Sequence, residues 1–507
     1  MLTPLDFGVI AAYMVLITIF GIKAGGTQRS ATDYFLGGRD LPWWAVCFSV
    51  VATETSTLTV IGTPAIAYGG TLTFFQITIG YLIGRIIVSI VFLPRYFQGE
   101  LTTAYAFLGQ RYGDGMRATA SVTFLITRLL ADGVRLFATA IPLKVIADQA
   151  GLNASYFQII IVIGIVTILY TLIGGIKAVV WMDVVQMFVY VGGAILAMII
   201  MLVHAPEGWW TAAQAAGKTQ IFSFSGSLTA ILTEPYVFVT AVVGGAVFTM
   251  ASHGTDQLIV QRLLTCRSLR DSQRALVGSA LIVMAQFALF LFLGLLLWSH
   301  YNGASVQELG LTRADEVFPR FIIEGLPPGV SGLVLAGIIA AAMSTLSSSL
   351  NSLASSTMFD LYERITGRTI EAESALTTSR ILTLVWGIVF IFFANLFTDL
   401  DNPVIELGLA IASYTYGGLL GVFLLGLINR RSLQMDAIVA FVVTIVFMAW
   451  VIFSVWYSPA EGWVVAFDPS AVEKARLGLK SVAWPWYTVI GSGVTLLVGS
   501  LLALRHR

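Results

Sequence analysis

Residues 42–69 read PWWAVCFSVVATETSTLTVIGTPAIAYG, an apolar stretch of membrane-spanning length whose centre is interrupted by hydroxyl and carboxyl side chains. Residues 231–252, ILTEPYVFVTAVVGGAVFTMAS, form a second such stretch, interrupted by Pro and Gly. Each predicts a helix that is broken inside the bilayer, where unwound backbone is tolerated only if it lines a cavity or is buried in protein. Broken helices at corresponding places of two halves indicate a transporter binding site.

The composition predicts an all-α, polytopic membrane protein. Of 507 residues, 57% are hydrophobic and 11% are charged, which one soluble core cannot accommodate. Apolar runs of about 20 residues or more predict thirteen spans. They lie at 4–24, 42–69, 72–97, 117–149, 155–173, 176–203, 231–252, 272–298, 328–362, 374–398, 402–427, 436–457 and 484–504.

Five of these spans begin with the first broken helix and five with the second. Because five is odd, the second set starts from the opposite side of the membrane. The count therefore predicts a single transporter domain, 1–507, with two inverted repeats at 42–203 and 231–427. Residues 1–41 and 428–507 are predicted to form peripheral helices.

Basic loop residues predict the orientation. In the thirteen-span arrangement, eighteen Lys and Arg residues, with Arg262 among them, lie on one side and six on the other. Because basic loops stay in the cytoplasm, we expect the N-terminus outside and the C-terminus inside a plasma membrane. The confinement of basic residues to inner loops argues against nucleic acid as a partner. The four histidines show no metal-ligand spacing and no nucleophile with a base, so we do not expect an enzyme.

The segment 337–352, GIIAAAMSTLSSSLNS, places six hydroxyl side chains in an apolar helix. Ser344, Ser347 and Ser348 follow the spacing i, i+3 and i+4 and therefore share one face. Hydroxyl oxygens at membrane depth suit sodium, because they replace its hydration shell without adding a fixed charge. Close packing of small residues between helices is the alternative.

Five motifs, in this order, resemble the sodium/solute symporter family, whose members carry sugars, proline, sialate, iodide and monocarboxylates. They are DYFLGGR at 33–39, FLPRYF at 92–97, GGIKAVVWMDVVQ at 174–186, GTDQLIVQRLLTCRSL at 254–269, and the serine segment running into STMFDLY at 356–362. The resemblance covers nearly the whole chain. It implies a leucine-transporter-like fold of ten core helices, with one helix before them and two after, and alternating access.

The resemblance also implies where sodium binds. Backbone oxygens of Ala52 and Thr55 would face the Ala341 carbonyl and the hydroxyls of Ser344 and Thr345; we call these five residues the sodium cage. Some relatives hold a second sodium ion. The matching positions, which we call the second sodium set, are Asp183, Ser344, Ser347 and Ser348. A capping or ion-pair role near the interface is the alternative for Asp183, because an ionisable residue at that depth needs a partner or a function.

Charged residues at mid-membrane suggest two further interactions. Glu54 and Arg85 lie midway along antiparallel neighbouring spans, so we expect them to pair or to share a solvated cavity. Relatives often carry Asn, Asp or a small residue at position 54, and Glu54 could instead stabilise the cation or bind a cationic solute group.

Arg128, Asp132 and Arg135, here called the arginine cluster, stand at i, i+4 and i+7 with a formal charge of plus one. An anionic solute contacting Arg135 would complete the cluster, resembling the use of an arginine on the same helix by sialate carriers. The alternative is a structural ladder, in which Asp132 neutralises Arg128 and Arg135 pairs with a residue from elsewhere in the chain.

The remaining candidates for substrate binding are Ser56 and Thr57 past the first break, Gln76, and Phe248, Thr249 and Ser252 around the second. The resemblance places Thr249 and Ser252 where sugar-carrying relatives contact or gate their substrate. Interhelical hydrogen bonding or packing is the alternative for each.

The sequence thus predicts a monomeric, sodium-coupled importer of a small, carboxylate-bearing solute, with sodium as the co-transported ion and the lipid bilayer as its surroundings. A sugar, polyol or vitamin carrier, a proton-coupled transporter and an ion channel are the alternatives.

Overall fold

The structure is a computed structural model that describes residues 2–99, 101–149, 151–367, 372–397 and 404–506. In these ranges it is mostly helical, which confirms the predicted class. The first helices are α1 (Pro4–Ala24), α2 (Ala31–Leu36), α3 (Trp43–Glu54), α4 (Thr57–Gly69), α5 (Gln76–Val91), α6 (Leu93–Gln98), α7 (Ala104–Tyr112), α8 (Asp114–Gln149), α9 (Tyr156–Val203), α10 (Trp209–Ala215), α11 (Leu228–Thr233) and α12 (Gly245–Gly254). They are followed by α13 (Gln257–Leu263), α14 (Leu269–His300), α15 (Val317–Glu324), α16 (Val330–Ser356), α17 (Tyr362–Thr366), α18 (Ala372–Ala394), α19 (Val404–Ile428), α20 (Gln434–Ser454), α21 (Ala471–Leu477) and α22 (Pro485–Ala503).

Shorter turns join several of these helices. Two of them, Thr240–Gly244 and Thr357–Leu361, are π-helical. The 3₁₀ turns are Gly37–Arg39, Thr73–Phe75, Ala314–Glu316 and Asn395–Phe397. Three strands that the sequence did not predict, β1 (Val455–Ser458), β2 (Gly462–Val465) and β3 (Lys480–Ser481), form a small antiparallel sheet of order β2-β1-β3 in the loop before α22.

Long apolar helices confirm a polytopic membrane protein. Within the described ranges, eight helices are long and apolar enough to span a bilayer, and the pair α3 and α4 makes a ninth, bent span. The predicted spans 155–173 and 176–203 are two parts of α9, which bends where Gly175 takes φ 56° and ψ −155°. The other predicted spans correspond to the charged α8, the interrupted region around α11 and α12, and α19. The exact count of thirteen stays a prediction, as do the repeat boundaries.

The chain divides into two compact units. The first contains residues 1–75, 128–221 and 261–408, and the second contains residues 76–127, 222–260 and 409–507. In the first unit, α16 packs against α9 and α1, while α14 packs against α3 and α4. All but two of the α16 residues are buried, so its hydroxyl groups face protein and not lipid.

Two local features fix α16 and the broken helix in the first unit. The buried carboxylate of Asp6 accepts the backbone N–H groups of Gly329 and Gly332 at 2.8 Å each, which satisfies donors at the start of α16. Gly294 of α14 lies so close to α4 that a Cβ at this position would be 2.2 Å from the carbonyl oxygen of Pro64. The backbones of α4 and α14 are therefore in direct contact.

Close helix packing also organises the second unit. A Cβ at Gly80 would lie 2.4 Å from the carbonyl oxygen of Val242, and one at Gly84 would lie 2.4 Å from that of Ala246. Small residues at these positions let α5 approach the backbone around α12, as is common between membrane helices. Helix α20 packs against α22 in the same unit.

Candidate functional site: a cation cage beside a polar cavity

The first predicted helix break is present. Helix α3 ends at Glu54, α4 begins at Thr57, and the two are bent by 63°. Between them, Thr55 has non-helical dihedral angles, φ −85° and ψ 89°. A consecutive run of Thr, Glu, Thr and Ser favours such a break because these side chains compete for backbone hydrogen bonds. The last carbonyl groups of α3 are thereby released from regular helical bonding.

The sodium cage residues of α3 and α16 meet at this break. The Ser344 hydroxyl lies 3.1 Å from the Ala52 carbonyl oxygen and 3.0 Å from that of Ala341. Thr345 Oγ1 donates to the same Ala341 carbonyl at 3.2 Å. Four neutral oxygens are thus gathered here, each within hydrogen-bond distance of at least one other. Such a set can replace water around sodium once the hydroxyl protons turn away from the carbonyl groups.

Thr55, the fifth cage residue, is tied to another helix through its side chain. Gln286 of α14 donates from Nε2 to Thr55 Oγ1 at 2.8 Å, and both residues are buried. The Thr55 hydroxyl is therefore engaged by α14, whereas the cage requires only its backbone oxygen.

The second sodium set includes a buried ion pair. Asp183 Oδ2 lies 3.3 Å from Nη2 of Arg262, and both side chains are fully buried. Ser49 donates to the same carboxylate oxygen at 2.6 Å, and Arg262 also donates to the hydroxyls of Ser49 and Ser348. The guanidinium group therefore bridges two members of the set. The ion-pair alternative for Asp183 is present in the structure, with Arg262 as the partner.

Arg262 corrects one step of the topology argument. Arg262 was predicted to lie in a cytoplasmic loop, but its side chain is buried in α13 beside Asp183. Without it, the basic residues number seventeen against six, so the asymmetry stands. Its partner could not be read from the sequence, because the two residues lie 79 positions apart. The sequence feature that could have singled out Arg262 is its position in the motif GTDQLIVQR.

A narrow polar cavity in the first unit adjoins the cage. It is lined by Ser56, Thr57, Asp132, Arg135, Leu136, Thr139, Ala342, Thr345 and Leu346. Its free space is about that of one water molecule. Three predicted substrate residues, Ser56, Thr57 and Arg135, lie together in its wall. Thr345 belongs both to this wall and to the sodium cage.

Hydroxyl groups connect the helices around the cavity. Thr139 of α8 donates to Thr57 Oγ1 at 2.9 Å, and Thr57 donates to the backbone oxygen of Ile338 at 3.3 Å. Helices α8, α4 and α16 are thereby joined at the cavity wall. Thr139 was not predicted, because its role depends on its position opposite the break.

The arginine cluster differs from the structural ladder, while the contact of Arg135 with an anionic solute stays a prediction. Arg135 Nη1 lies 3.0 Å from Asp132 Oδ1, and Arg128 Nη1 lies 3.6 Å from Asp132 Oδ2. Both arginines thus lie beside one carboxylate, and within the part of the chain that the structure describes Arg135 has no other acidic partner. Arg135 retains 21% exposure of its side chain, while the other two members are almost fully buried. Arg135 is therefore the arginine of the cluster that reaches the cavity.

The other predicted substrate residues lie elsewhere. Glu54 is half-buried at the end of α3 in the first unit. In the second unit, the Gln76 amide binds backbone groups, donating to Tyr236 O at 2.8 Å and accepting from Ser223 N at 3.1 Å. Their roles, and the pairing of Glu54 with Arg85, stay predictions.

Residues after the second break also belong to the second unit. Phe248 packs against the rings of Tyr81, Tyr416 and Trp484. Thr249 is buried, and the Ser252 hydroxyl lies 2.8 Å from Nδ1 of His253. Substrate binding by these three residues stays a prediction.

Comparison with known proteins decides the family. The family model of the sodium:solute symporter family matches residues 34–446. The chain belongs to this family. The predicted coupling of solute transport to sodium is thereby confirmed at the level of the family.

Curated relatives of this symporter cover most of its length. The human sodium/iodide cotransporter is 30% identical over 83% of the chain, and the matching part spans 65% of the human protein. The sodium/sialic acid symporter NanT of Aliivibrio fischeri is 28% identical over 88% of the chain and 87% of the relative. SiaT of Proteus mirabilis, another sodium/sialic acid symporter, is 27% identical over 98% and 95%, respectively.

Solved structures agree with the fold of the symporter. A sodium-coupled sialic acid symporter in a substrate-bound, outward-open state superposes with a TM-score of 0.81 at 25% identity, covering 100% of this chain and 98% of that one. The closed form of Mhp1, a nucleobase-cation-symport-1 transporter, gives a TM-score of 0.53 at 12% identity over 94% of each chain. The second likeness supports the fold alone.

Proposed function

We propose that this symporter imports a small organic anion together with sodium, and that Arg135 contacts the anionic group of the solute. The observation that carries this proposal is the arrangement of the arginine cluster at the cavity. Arg135 lies in the cavity wall with 21% of its side chain exposed, binds Asp132 through Nη1, and has no hydrogen-bond partner at Nε among the residues that the structure describes. A solute carboxylate would accept a charge-assisted hydrogen bond from the donors of this guanidinium group that Asp132 does not use.

The cargo of several relatives supports the same solute class. Iodide, sialic acid and monocarboxylates appear in the names of the relatives, and all three are anions at neutral pH. The hydroxyls of Ser56, Thr57 and Thr139 would then bind polar groups of the solute next to Arg135. Because the cavity holds about one water molecule, its walls must separate to admit a solute, as alternating access requires.

Sodium would bind in the cage of Ala52, Thr55, Ala341, Ser344 and Thr345. Thr345 connects this cage to the cavity, so the ion and the solute would share a wall. The second sodium set, Asp183, Ser344, Ser347 and Ser348, would take an ion only if Arg262 withdraws from Asp183. Otherwise two cations would compete for one buried carboxylate.

We further propose that the symporter is a plasma-membrane monomer with its N-terminus outside and its C-terminus in the cytoplasm, and that it moves its solute chemically unchanged. The asymmetry of basic residues supports this orientation. Cysteine labelling of loop residues from either side of sealed vesicles would test it, and an inverted labelling pattern would exclude it.

Uptake into proteoliposomes tests the proposed solute class. Radiolabelled sialic acid, lactate and iodide would be supplied with an inward sodium gradient, and neutral glucose would serve as the control. We expect saturable uptake of at least one anion that stops when choline replaces sodium. Sodium-dependent uptake of glucose without uptake of any anion would refute the anionic solute.

A matched pair of variants on α8 tests Arg135 itself. Loss of a charge-assisted hydrogen bond of about 1.5–3 kcal/mol predicts that Arg135→Gln raises the half-saturating anion concentration by roughly 10- to 150-fold. Lys144→Gln is the control, because Lys144 pairs with Asp148 on the same helix at a half-exposed position. Equal affinity of the two variants would remove the assigned contact.

A further inference from the structure

The arginine cluster is joined to the serine-rich helix through one carboxylate. Asp132 binds Arg135 through Oδ1 and lies near Arg128 through Oδ2. The same Oδ2 accepts a hydrogen bond from the hydroxyl of Ser349 in α16. The Asp132 side chain is 1% exposed, and Ser349 is fully buried. Asp132 therefore links the two arginines of α8 to a side chain on α16, the helix that carries three of the five residues of the sodium cage.

Ser349 stands one helical turn beyond Thr345. Residues four positions apart lie on the same face of an α-helix, so Thr345 and Ser349 follow one another along α16. Thr345 contacts the Ala341 carbonyl in the sodium cage and also lines the cavity. One face of α16 thus presents, in order, the ion site, the cavity wall and the contact to Asp132.

Arg135 is held by this link at only one of its nitrogens. Nη1 binds Asp132 at 3.0 Å, whereas Nε has no hydrogen-bond partner among the residues that the structure describes. The direction of the guanidinium group in the cavity therefore depends on where Asp132 holds it. A shift of Asp132 would move the charge that a solute anion meets.

We propose that Asp132 and Ser349 are positioning residues that couple sodium binding to the presentation of Arg135 in the cavity. Sodium in the cage draws Ala52 of α3 together with Ser344 and Thr345 of α16. Because α16 is a continuous helix, Ser349 follows, and its hydrogen bond carries Asp132 and the attached Arg135 with it. The proposal rests on the proposed function only in taking Arg135 as the solute contact.

The test uses sodium alone and therefore needs no identified solute. Purified full-length protein is treated with 2,3-butanedione, a small arginine reagent, in sodium chloride or in choline chloride. Modification of the peptide containing Arg135 is followed by mass spectrometry. In the wild type, we expect sodium to change the modification rate at Arg135 by about fivefold or more, within the usual range of coupling between sites.

Two serine variants separate coupling from general packing. In Ser349→Ala we expect the sodium-dependent change at Arg135 to disappear, while sodium still raises the melting temperature of the protein. Ser352→Ala is the matched control, because Ser352 is equally buried one turn away and, among the described residues, its hydroxyl donates to the Ser349 carbonyl alone. It should respond to sodium as the wild type does.

Asp132→Asn provides a second variant that keeps the shape of the side chain. It should also lose the sodium response at Arg135, because an amide holds a guanidinium group weakly. A wild-type-sized response in Ser349→Ala and Asp132→Asn, or no response in the wild type, would overturn the coupling. A failure of the proposed contact between Arg135 and the solute anion would be a separate result. It would appear as an unaltered half-saturating anion concentration in the uptake assay of Arg135→Gln.

Discussion

Replacing Arg262 by Gln tests whether the second sodium set can hold a cation. Arg262 and Asp183 lie 3.3 Å apart and are both fully buried. Removing one partner of such a pair costs about 3–5 kcal/mol, because the remaining charge is buried without compensation. Arg262→Gln keeps a polar side chain near Ser49 and Ser348 but removes the positive charge. We therefore expect a clearly lower melting temperature in choline chloride.

Sodium should then stabilise this variant more than it stabilises the wild type. If the freed carboxylate and the Ser348 hydroxyl accept the ion, sodium at 100 times its dissociation constant would contribute about 2.7 kcal/mol. That is more than half of the predicted loss. In the wild type the guanidinium group already neutralises Asp183, so only the sodium cage contributes to the sodium-induced shift.

Thermal unfolding in detergent, followed by fluorescence-detected gel filtration, would measure both effects. The measurements belong at alkaline pH, where protonation cannot replace the missing cation. The double variant Asp183→Asn/Arg262→Gln is the control. It should recover much of the stability in choline and show a sodium shift no larger than that of the wild type. A sodium shift in Arg262→Gln equal to the wild-type shift would refute cation binding at Asp183.

Two further sets of variants test the predicted pairing of Glu54 with Arg85 and the close packing of α4 against α14. If Glu54 serves only to neutralise Arg85, Glu54→Gln and Arg85→Gln should each reduce sodium-dependent uptake. The double variant should then restore uptake. A double variant that still fails to transport would point to ligand binding by Glu54. Gly294→Ala should destabilise the protein by about 1–3 kcal/mol through overpacking against Pro64, measured by thermal unfolding. Gly192→Ala, with open space around its Cβ position, should be neutral or stabilising; equal stability of the two glycine variants would contradict the close packing of α4 and α14.

The broken helix and the cage residues were predictable because their signals are local. The polar run around Thr55 stands out against an apolar stretch, and the hydroxyls of Ser344 and Thr345 stand out in α16. Helix periodicity then places these oxygens on a common face. The resemblance to the family supplied the pairing of Ala52 with Ser344, and the 3.1 Å contact agrees with it.

The partners of the buried charges were less predictable because they depend on tertiary packing. Asp183 was recognised as needing a partner, but Arg262 was taken for a loop residue. The spacing of Arg128, Asp132 and Arg135 showed one shared helical face. It could not show that one carboxylate would serve both arginines and also Ser349, which is 217 positions away. A side chain from a distant helix leaves no mark in the spacing of the residues that it contacts.

The abundance of Ser in α16 follows from the number of partners that surround this helix. Ser344 binds the carbonyl of α3, Ser348 binds Arg262 of α13, and Ser349 binds Asp132 of α8. A large side chain at any of these positions would keep the neighbouring helix away, whereas alanine would remove one hydrogen bond from the polar group on that neighbour. Serine meets both requirements, since it is small and its hydroxyl can donate a hydrogen bond, as in Ser344 and Ser349, or accept one, as in Ser348. The same residues that permit close packing therefore connect the ion cage, the buried ion pair and the arginine cluster, so a cation bound in the cage near the middle of α16 would act on the charges that contact this helix.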